Sequence, residues 1–296
     1  MRRSSAIQGF TILFLAVLAI VIWLGVAAED RGGKLTVSFL DIGQGDAIFI
    51  DAPSGRQVLI DGGSGRSVLR QLGKTMPWYD RSIDIIVGTH PDADHIGGLI
   101  DVLDRYKVGM IVESSVLGET PLWETFEKRV ADESKSGAKL VKAQRGQVID
   151  LGEGAYLEVL SPDRAVPHVE TNVGCVVTKL IYGDTAFMLP CDAPAAIEKY
   201  LVALDGSTLL TTGSISLHAN VLKAGHHGSK TSSNFSFVGF VDPEYAIYSR
   251  GCDNSYGHPH QQTIDTFAKF NIPTLDTCER GTITFVSDGK TVSLNK

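Results

Sequence analysis

After an opening apolar stretch, the chain alternates short β-rich runs with segments whose apolar residues recur at helical spacing. Leu35 to Ile42, Ala47 to Asp51 and Gln57 to Ile60 read as strands broken by Gly-Gln-Gly and Pro-Ser-Gly turns. Ile83 to Val87 reads as a buried strand, and Gly98 to about Tyr106 as a helix carrying Leu99, Val102 and Leu103 at helical spacing. Pro121 to about Ser134 predicts a second helix, opened by a proline whose missing N–H costs nothing there. The second half repeats the theme. Strands at Tyr156 to Leu160, Cys175 to Ile181 and Ala186 to Leu189 precede a helix from Pro194 to about Leu204, then a strand-like Asn220 to Lys223. Helix and strand signals continue through Gln261 to Phe270, Thr282 to Val286 and Thr291 to Leu294. No low-complexity tract or boundary divides these runs, so the pattern predicts one α/β domain built from two β-rich halves.

The opening stretch has another purpose. Phe10 to Ala28 is nineteen residues without a charge, preceded by Arg2 and Arg3 and followed by Glu29-Asp30-Arg31. At the helical rise this length approaches the thickness of a hydrocarbon core. Positive charge before it and acid after it predict the N-terminus inside and the large domain exported. Val26-Ala27-Ala28 also makes an acceptable signal-peptidase site, so a secreted form competes with an uncleaved membrane anchor; the length of the run favours the anchor.

Composition narrows the class. With 296 residues, 43% of them hydrophobic, the chain can bury a substantial core, and 31 glycines suit a loop-rich α/β fold better than a helix bundle. The formal charge of −7 is unlike the basic surface with which proteins grip nucleic acid tightly, although a local basic groove is compatible with it. Cys175, Cys191, Cys252 and Cys278 form no C-x-x-C pair, which removes a zinc knuckle and leaves disulfides or buried thiols.

The chemistry concentrates in Thr89-His90-Pro91-Asp92-Ala93-Asp94-His95-Ile96-Gly97-Gly98. Two imidazoles and two carboxylates delivered by one strand end repel or stay unpaired unless a cation joins them. His90 and Asp92 can converge on one ion, with Asp94 and His95 reaching a second. Nitrogen and oxygen donors together, without nearby cysteine, suit zinc, manganese or iron in a hydrolytic centre. Asp192 is the best candidate for a bridging carboxylate, its alternative being a helix cap ahead of Pro194. His226-His227, between glycines, is a further ligand candidate, its alternative being an exposed loop.

These residues resemble the metallo-β-lactamase superfamily and, within it, the exported hydrolase domain of the ComEC competence proteins. The resemblance runs from Leu35 to the C-terminus and includes Phe39-Leu40-Asp41-Ile42-Gly43-Gln44-Gly45-Asp46-Ala47, Leu59-Ile60-Asp61-Gly62-Gly63, Val221 to Ser229, and Asn254-Ser255-Tyr256-Gly257-His258-Pro259. It implies an α/β fold, the αββα four-layer sandwich, with an N-terminal apolar helix. Residues 1–33 would be anchor or signal peptide and linker, and 34–296 the hydrolase domain. It further implies two divalent metal ions, Mn or Zn, held by His90, Asp92, Asp94, His95, Asp192 and one of the histidine pair. Related phosphocholine esterases favour His227 as the ligand, leaving His226 to contact a phosphate or protonate a leaving group. Asp94, His226 and His258 are the catalytic candidates, and Ser249, Asn254 and His258 the cleft residues; a structural histidine beside Pro259 is the alternative for His258.

The departures are informative. Asp92 stands where many superfamily members have histidine, which shifts preference towards oxygen-loving metals such as manganese. The superfamily's middle histidine has no clear equivalent near Thr171-Asn172, His168 being the nearest substitute. Pro190-Cys191 replaces a usual Thr-Gly, and Asn220 a frequent aspartate, so one metal position is expected to be the weaker. With one apolar segment rather than a multi-span permease region, transport of DNA by this chain alone is not expected. The resemblance implies a phosphodiesterase or nuclease acting on single-stranded DNA. A phosphocholine-type cell-wall phosphodiesterase and a non-catalytic metal-binding module are the alternatives.

Overall fold

Alternation along the strands sorts apolar side chains into layers. The computed structural model describes residues 9–20, 23, 31–205 and 215–295. The first half supplies β1 (Leu35–Phe39), β2 (Ile48–Asp51), β3 (Gln57–Ile60), β4 (Ser82–Gly88), β5 (Lys107–Glu113) and β6 (Lys139–Lys142). The second supplies β7 (Val148–Gly152), β8 (Ala155–Ser161), β9 (Val177–Tyr182), β10 (Thr185–Leu189), β11 (Val221–Lys223), β12 (Tyr245–Tyr248) and β13 (Thr274–Asp276). Finally β14 (Ile283–Ser287) and β15 (Val292–Asn295) return to the first sheet, whose order is β15-β14-β1-β2-β3-β4-β5-β6; the other sheet runs β13-β12-β11-β10-β9-β8-β7.

In β3, Val58 and Ile60 point between the sheets and Leu59 points outwards; in β10, Phe187 and Leu189 point inwards and Met188 outwards. The outward set of the first sheet packs under α1 (Ser67–Thr75), α2 (Ala93–Leu103) and α3 (Pro121–Lys135). That of the second packs under α4 (Ala195–Leu204), α5 (Phe235–Val241) and α6 (Gln261–Lys269), with the short α7 (Thr277–Arg280) following β13. Helices therefore cover both outer faces of two packed sheets, giving αββα layers.

Strand direction fixes where chemistry can sit. β3, β4, β5 and β6 run parallel, as do β10, β11, β12 and β13. Their carboxyl ends meet along one rim, the usual place for a ligand site in parallel sheets. Arg31 enters at the opposite end, where its guanidinium pairs with Asp51 at 2.7 Å.

The helix expected from Gly98 starts earlier, at Ala93. Gly97-Gly98 looks like a boundary in one dimension but is a packing surface. A Cβ on Gly98 would lie 2.0 Å from the Gly62 carbonyl oxygen, so only glycine lets α2 settle onto the turn after β3.

Disulfides join Cys175 to Cys191 and Cys252 to Cys278, which sets aside the free-thiol alternative. At the N-terminus, residues 9–20 and 23 are helical, with Phe10 and Trp23 exposed. No helix of the described residues is long and apolar enough to cross a membrane. The remainder of the Phe10–Ala28 segment, including Val26-Ala27-Ala28, lies outside the described residues.

Glu198 of α4 is fully buried and accepts hydrogen bonds from the Ser233 and Asn234 amides, each at 2.7 Å, tying α4 to the start of α5. Burial outweighs both amides and raises its carboxyl from 4.5 to about 7. Folded protein therefore holds this proton more tightly than unfolded chain does, and stability present at low pH is lost as pH rises through that window, to the extent of ~3 kcal/mol. Urea unfolding at pH 5 and pH 7 should show Glu198→Gln less stable at pH 5 but flatter between the two. Parallel slopes for variant and wild type would remove Glu198 as the cause.

Candidate metal centre

The centre begins with Asp61, which follows β3 in a left-handed conformation (φ 59°). Its Oδ1 accepts from the Thr89 amide at 2.9 Å, and its Oδ2 accepts from the Thr89 hydroxyl and the His95 Nδ1–H, both at 2.7 Å. One buried carboxylate thus fixes the strand end that carries His90 and the helix start that carries His95. Because the Thr89 hydroxyl proton is given to Asp61, its oxygen accepts from His90 Nδ1, 3.0 Å away. On the facing sheet the Ser249 carbonyl accepts from His227 Nδ1 at 2.9 Å. Each of the three imidazoles spends its Nδ1 proton on a fixed acceptor, which leaves the Nε2 lone pair free. All three Nε2 atoms are buried and have no hydrogen-bond partner.

Two of these lone pairs, those of His95 and His227, face Asp192, which follows β10. Asp192 Oδ2 lies 3.3 Å from His95 Nε2, 3.3 Å from His227 Nε2 and 3.5 Å from His226 Nε2. Asp94 Oδ2 is 3.4 Å from His227 Nε2, and Asp92 Oδ2 is 3.6 Å from His90 Nε2. His90, His95 and Asp192 form one group of mutually close donors, and Asp94, His95 and His227 another. The cap alternative for Asp192 fails, since α4 is preceded by Pro194 and has no side-chain cap. His226 and His227 both adopt left-handed backbone (φ 48° and 54°), as does Cys191 (φ 46°). Such conformations cost roughly 1–3 kcal/mol each and persist where surrounding structure over-determines them, as at functional sites.

Two buried residues at the centre were not singled out by spacing. Lys223, wholly buried at the end of β11, pairs with Asp46, reaches Asp192 Oδ1 at 3.4 Å and donates to the Cys191 carbonyl at 3.3 Å. Asp46 Oδ1 also lies 3.3 Å from His227 Nδ1. Burial would raise the Asp46 carboxyl, but Lys223 and then His227 hold it well below the usual carboxylate range. Asp192 is likewise held low against burial by His227, His95 and Lys223. Five carboxylates, from Asp46, Asp61, Asp92, Asp94 and Asp192, meet here with one ammonium. The charge deficit and the three unpartnered Nε2 atoms are what a divalent-cation site requires, so the residues fit such ions.

The remaining predicted residues separate. His226 is less enclosed than His227, its side chain 29% exposed, and its Nδ1 lies 3.2 Å from the Thr231 hydroxyl. Burial lowers its imidazole. His258 is buried beside the pair, its ring 5.7 Å from that of His226. Burial, with His227 and His226 alongside, pushes it down to about 4. Asn254 clasps the backbone of His258 with both amide atoms, and the Ser249 hydroxyl bonds the Gly45 carbonyl, so both brace loops. His168 is exposed and belongs to no donor group among the described residues; Thr171 instead donates to Asp92 Oδ2 at 3.2 Å. Asn220 accepts from the Ala186 amide of β10 and donates to Glu244, and it belongs to no donor group among the described residues.

Comparison with known proteins agrees with this architecture. The metallo-beta-lactamase superfamily profile matches residues 40–251. ComE operon protein 3 of Bacillus subtilis (strain 168) is 30% identical over 205 residues, which is 69% of this chain and 25% of that protein. Competence protein ComA of Neisseria gonorrhoeae is 29% identical over 205 residues, again 69% of this chain and 25% of the relative. The chain thus spans about a quarter of the length of these curated relatives. Among solved structures, CmlA, a diiron β-hydroxylase from Streptomyces venezuelae, superposes with a TM-score of 0.54 at 12% identity, covering 84% of this chain and 53% of that one, a likeness of fold. A profile match over most of the chain, on the fold and donor set described above, means that this chain belongs to the metallo-beta-lactamase superfamily.

Proposed function

We propose that the chain is a metal-dependent phosphodiesterase, with single-stranded DNA as its leading substrate. The observation that carries the reaction class is the set of three buried, unpartnered Nε2 atoms of His90, His95 and His227 among carboxylates, the last two facing Asp192 at 3.3 Å. The substrate rests on relatives, one of them named a competence protein. His90, Asp92 and Asp192 would hold one divalent ion, Mn or Zn, and Asp94, His95, His227 and Asp192 another. Such ions supply a water nucleophile near neutral pH and polarise the phosphoryl group. Asp61, Thr89 and Ser249 keep the imidazoles in the ligating tautomer. His226, at the open side, would contact an oxygen of the phosphate, and His258 beside it stays neutral and limits the space around that oxygen. An exported domain, anchored by the segment before Asp30 or secreted, accords with two disulfides, which persist in oxidising compartments.

The test is incubation of the purified chain with manganese or zinc against labelled single-stranded DNA, duplex DNA and bis-p-nitrophenyl phosphate. Cleavage of the single strand in preference to duplex is expected. Turnover of the small ester without DNA would keep the metal mechanism and remove the nuclease, redirecting attention to cell-wall phosphodiesters. No turnover with either metal would remove the enzyme reading.

A further inference from the structure

One exposed ring stands in line with the centre. His258 lies between His227 and Tyr256, its ring 6.2 Å from the first at an interplanar angle of 32° and 5.6 Å from the second at 19°. The three rings thus form a short row that starts at a candidate metal ligand. His258 is buried, whereas Tyr256, at the outer end, is 63% exposed; one face of its ring rests on the imidazole and the other meets solvent. Nδ1 of His258 is buried without a hydrogen-bond partner, so packing rather than a bond sets the plane of that ring. The loop carrying Tyr256 is held on both sides. Cys252 is bonded to Cys278 of α7, and Asn254 bonds the amide and the carbonyl of His258 at 2.9 Å each. Between the two rings Gly257 takes a φ of 75°, a conformation that glycine adopts without steric cost.

Isolated surface tyrosines are ordinary, but a braced one at the end of a row of rings offers a flat, preorganised apolar face. A phosphate cannot use that face, whereas every nucleobase has a π-face that can. The charge of the chain gives such a contact weight. With a formal charge of −7 and five carboxylates at the centre, the protein gains little of the counterion release that dominates strand binding by basic proteins. We propose that Tyr256 is the platform on which a base of the substrate strand stacks, next to the phosphodiester held at the metal centre. The inference deepens the phosphodiesterase reading above and rests on it. It gives a preference for single strands a physical cause, since a base paired and stacked within a duplex has no free face to offer. Within the loop, His258 then backs the platform, while Asn254 and the disulfide hold it in place.

A set of p-nitrophenyl phosphodiesters shares one leaving group and differs in the other alcohol: methyl, thymidine through O5′ or O3′, and choline. The full chain, Tyr256→Phe and Tyr256→Ala are assayed on them with manganese. Binding of a fluorescein-labelled oligodeoxythymidylate is followed by anisotropy, with manganese and with chelator. Wild type should favour a thymidine ester over the methyl ester in kcat/KM. Tyr256→Ala should lower that ratio, and the oligonucleotide affinity, by roughly ten- to a hundred-fold, whereas Tyr256→Phe keeps the ring and should stay within about threefold of wild type. Equal losses on the thymidine and methyl esters would make Tyr256 a structural support of His258 and overturn the platform. Unchanged oligonucleotide binding in Tyr256→Ala would overturn it as well. So would a preference for the choline ester that disappears in that variant, which would give the ring to a cation. No turnover of any ester, with Tyr256-dependent oligonucleotide binding retained, would overturn the hydrolase reading and support the platform. No turnover and no oligonucleotide binding by wild type would overturn both.

Discussion

Asp192→Asn is expected to lower phosphodiester hydrolysis by at least ~10³-fold, roughly 4 kcal/mol of transition-state stabilisation, while leaving the fold intact. Oδ2 of Asp192 lies within 3.5 Å of the Nε2 atoms of His95, His226 and His227, and its Oδ1 faces Lys223. Asp192 shares a donor group with His90 and His95 and also lies against His227, which belongs to the other. An amide keeps the volume but removes the charge, and one of its two ends must then present N–H groups to lone pairs or to an ammonium. Both metal positions lose affinity together, so raising the manganese concentration restores little. The measurement is kcat/KM on bis-p-nitrophenyl phosphate across a manganese titration. A rate within tenfold of wild type would remove Asp192 from the centre.

Lys223→Met should destabilise the metal-free protein by ~3–5 kcal/mol, because removing one partner of a buried ion pair strands the others. Here Asp46 and Asp192 would both be left buried without their shared ammonium. The methionine stem preserves most of the packing, so the loss reports charge. In chelator the melting temperature should fall on the order of 10 °C, and saturating divalent metal should recover part of it. Equal melting of variant and wild type in chelator would mean that this pair contributes nothing.

The readable and unreadable parts of the site differ in a physical way. His90, Asp92, Asp94 and His95 were legible because one strand end carries all four, and four such groups have no apolar explanation. His227 was legible through its glycine-flanked loop. Asp46 and Lys223 fall within recognisable motifs, but spacing does not reveal that the loop after β1 and the end of β11 meet. A lone lysine in the apolar run Val221-Leu222-Lys223-Ala224 was the available signal, for a buried charge requires a partner. Ser249 looked like a cleft residue but contributes its carbonyl to His227, an atom that every residue type possesses. Most strand positions followed from alternation. The start of α2 did not, because Gly97-Gly98 serves a close approach to Gly62 that only three dimensions display.

The polarity of the strands sets how this molecule can be held. Arg31 joins the body at the amino ends of the parallel strands, and every donor to the centre lies at the opposite rim. The intervening strand β1 has five residues, a rise of about 17 Å. Attachment of a bead or resin at Arg31 would therefore leave the reactive rim on the far side of the body, with its approach from solution unobstructed.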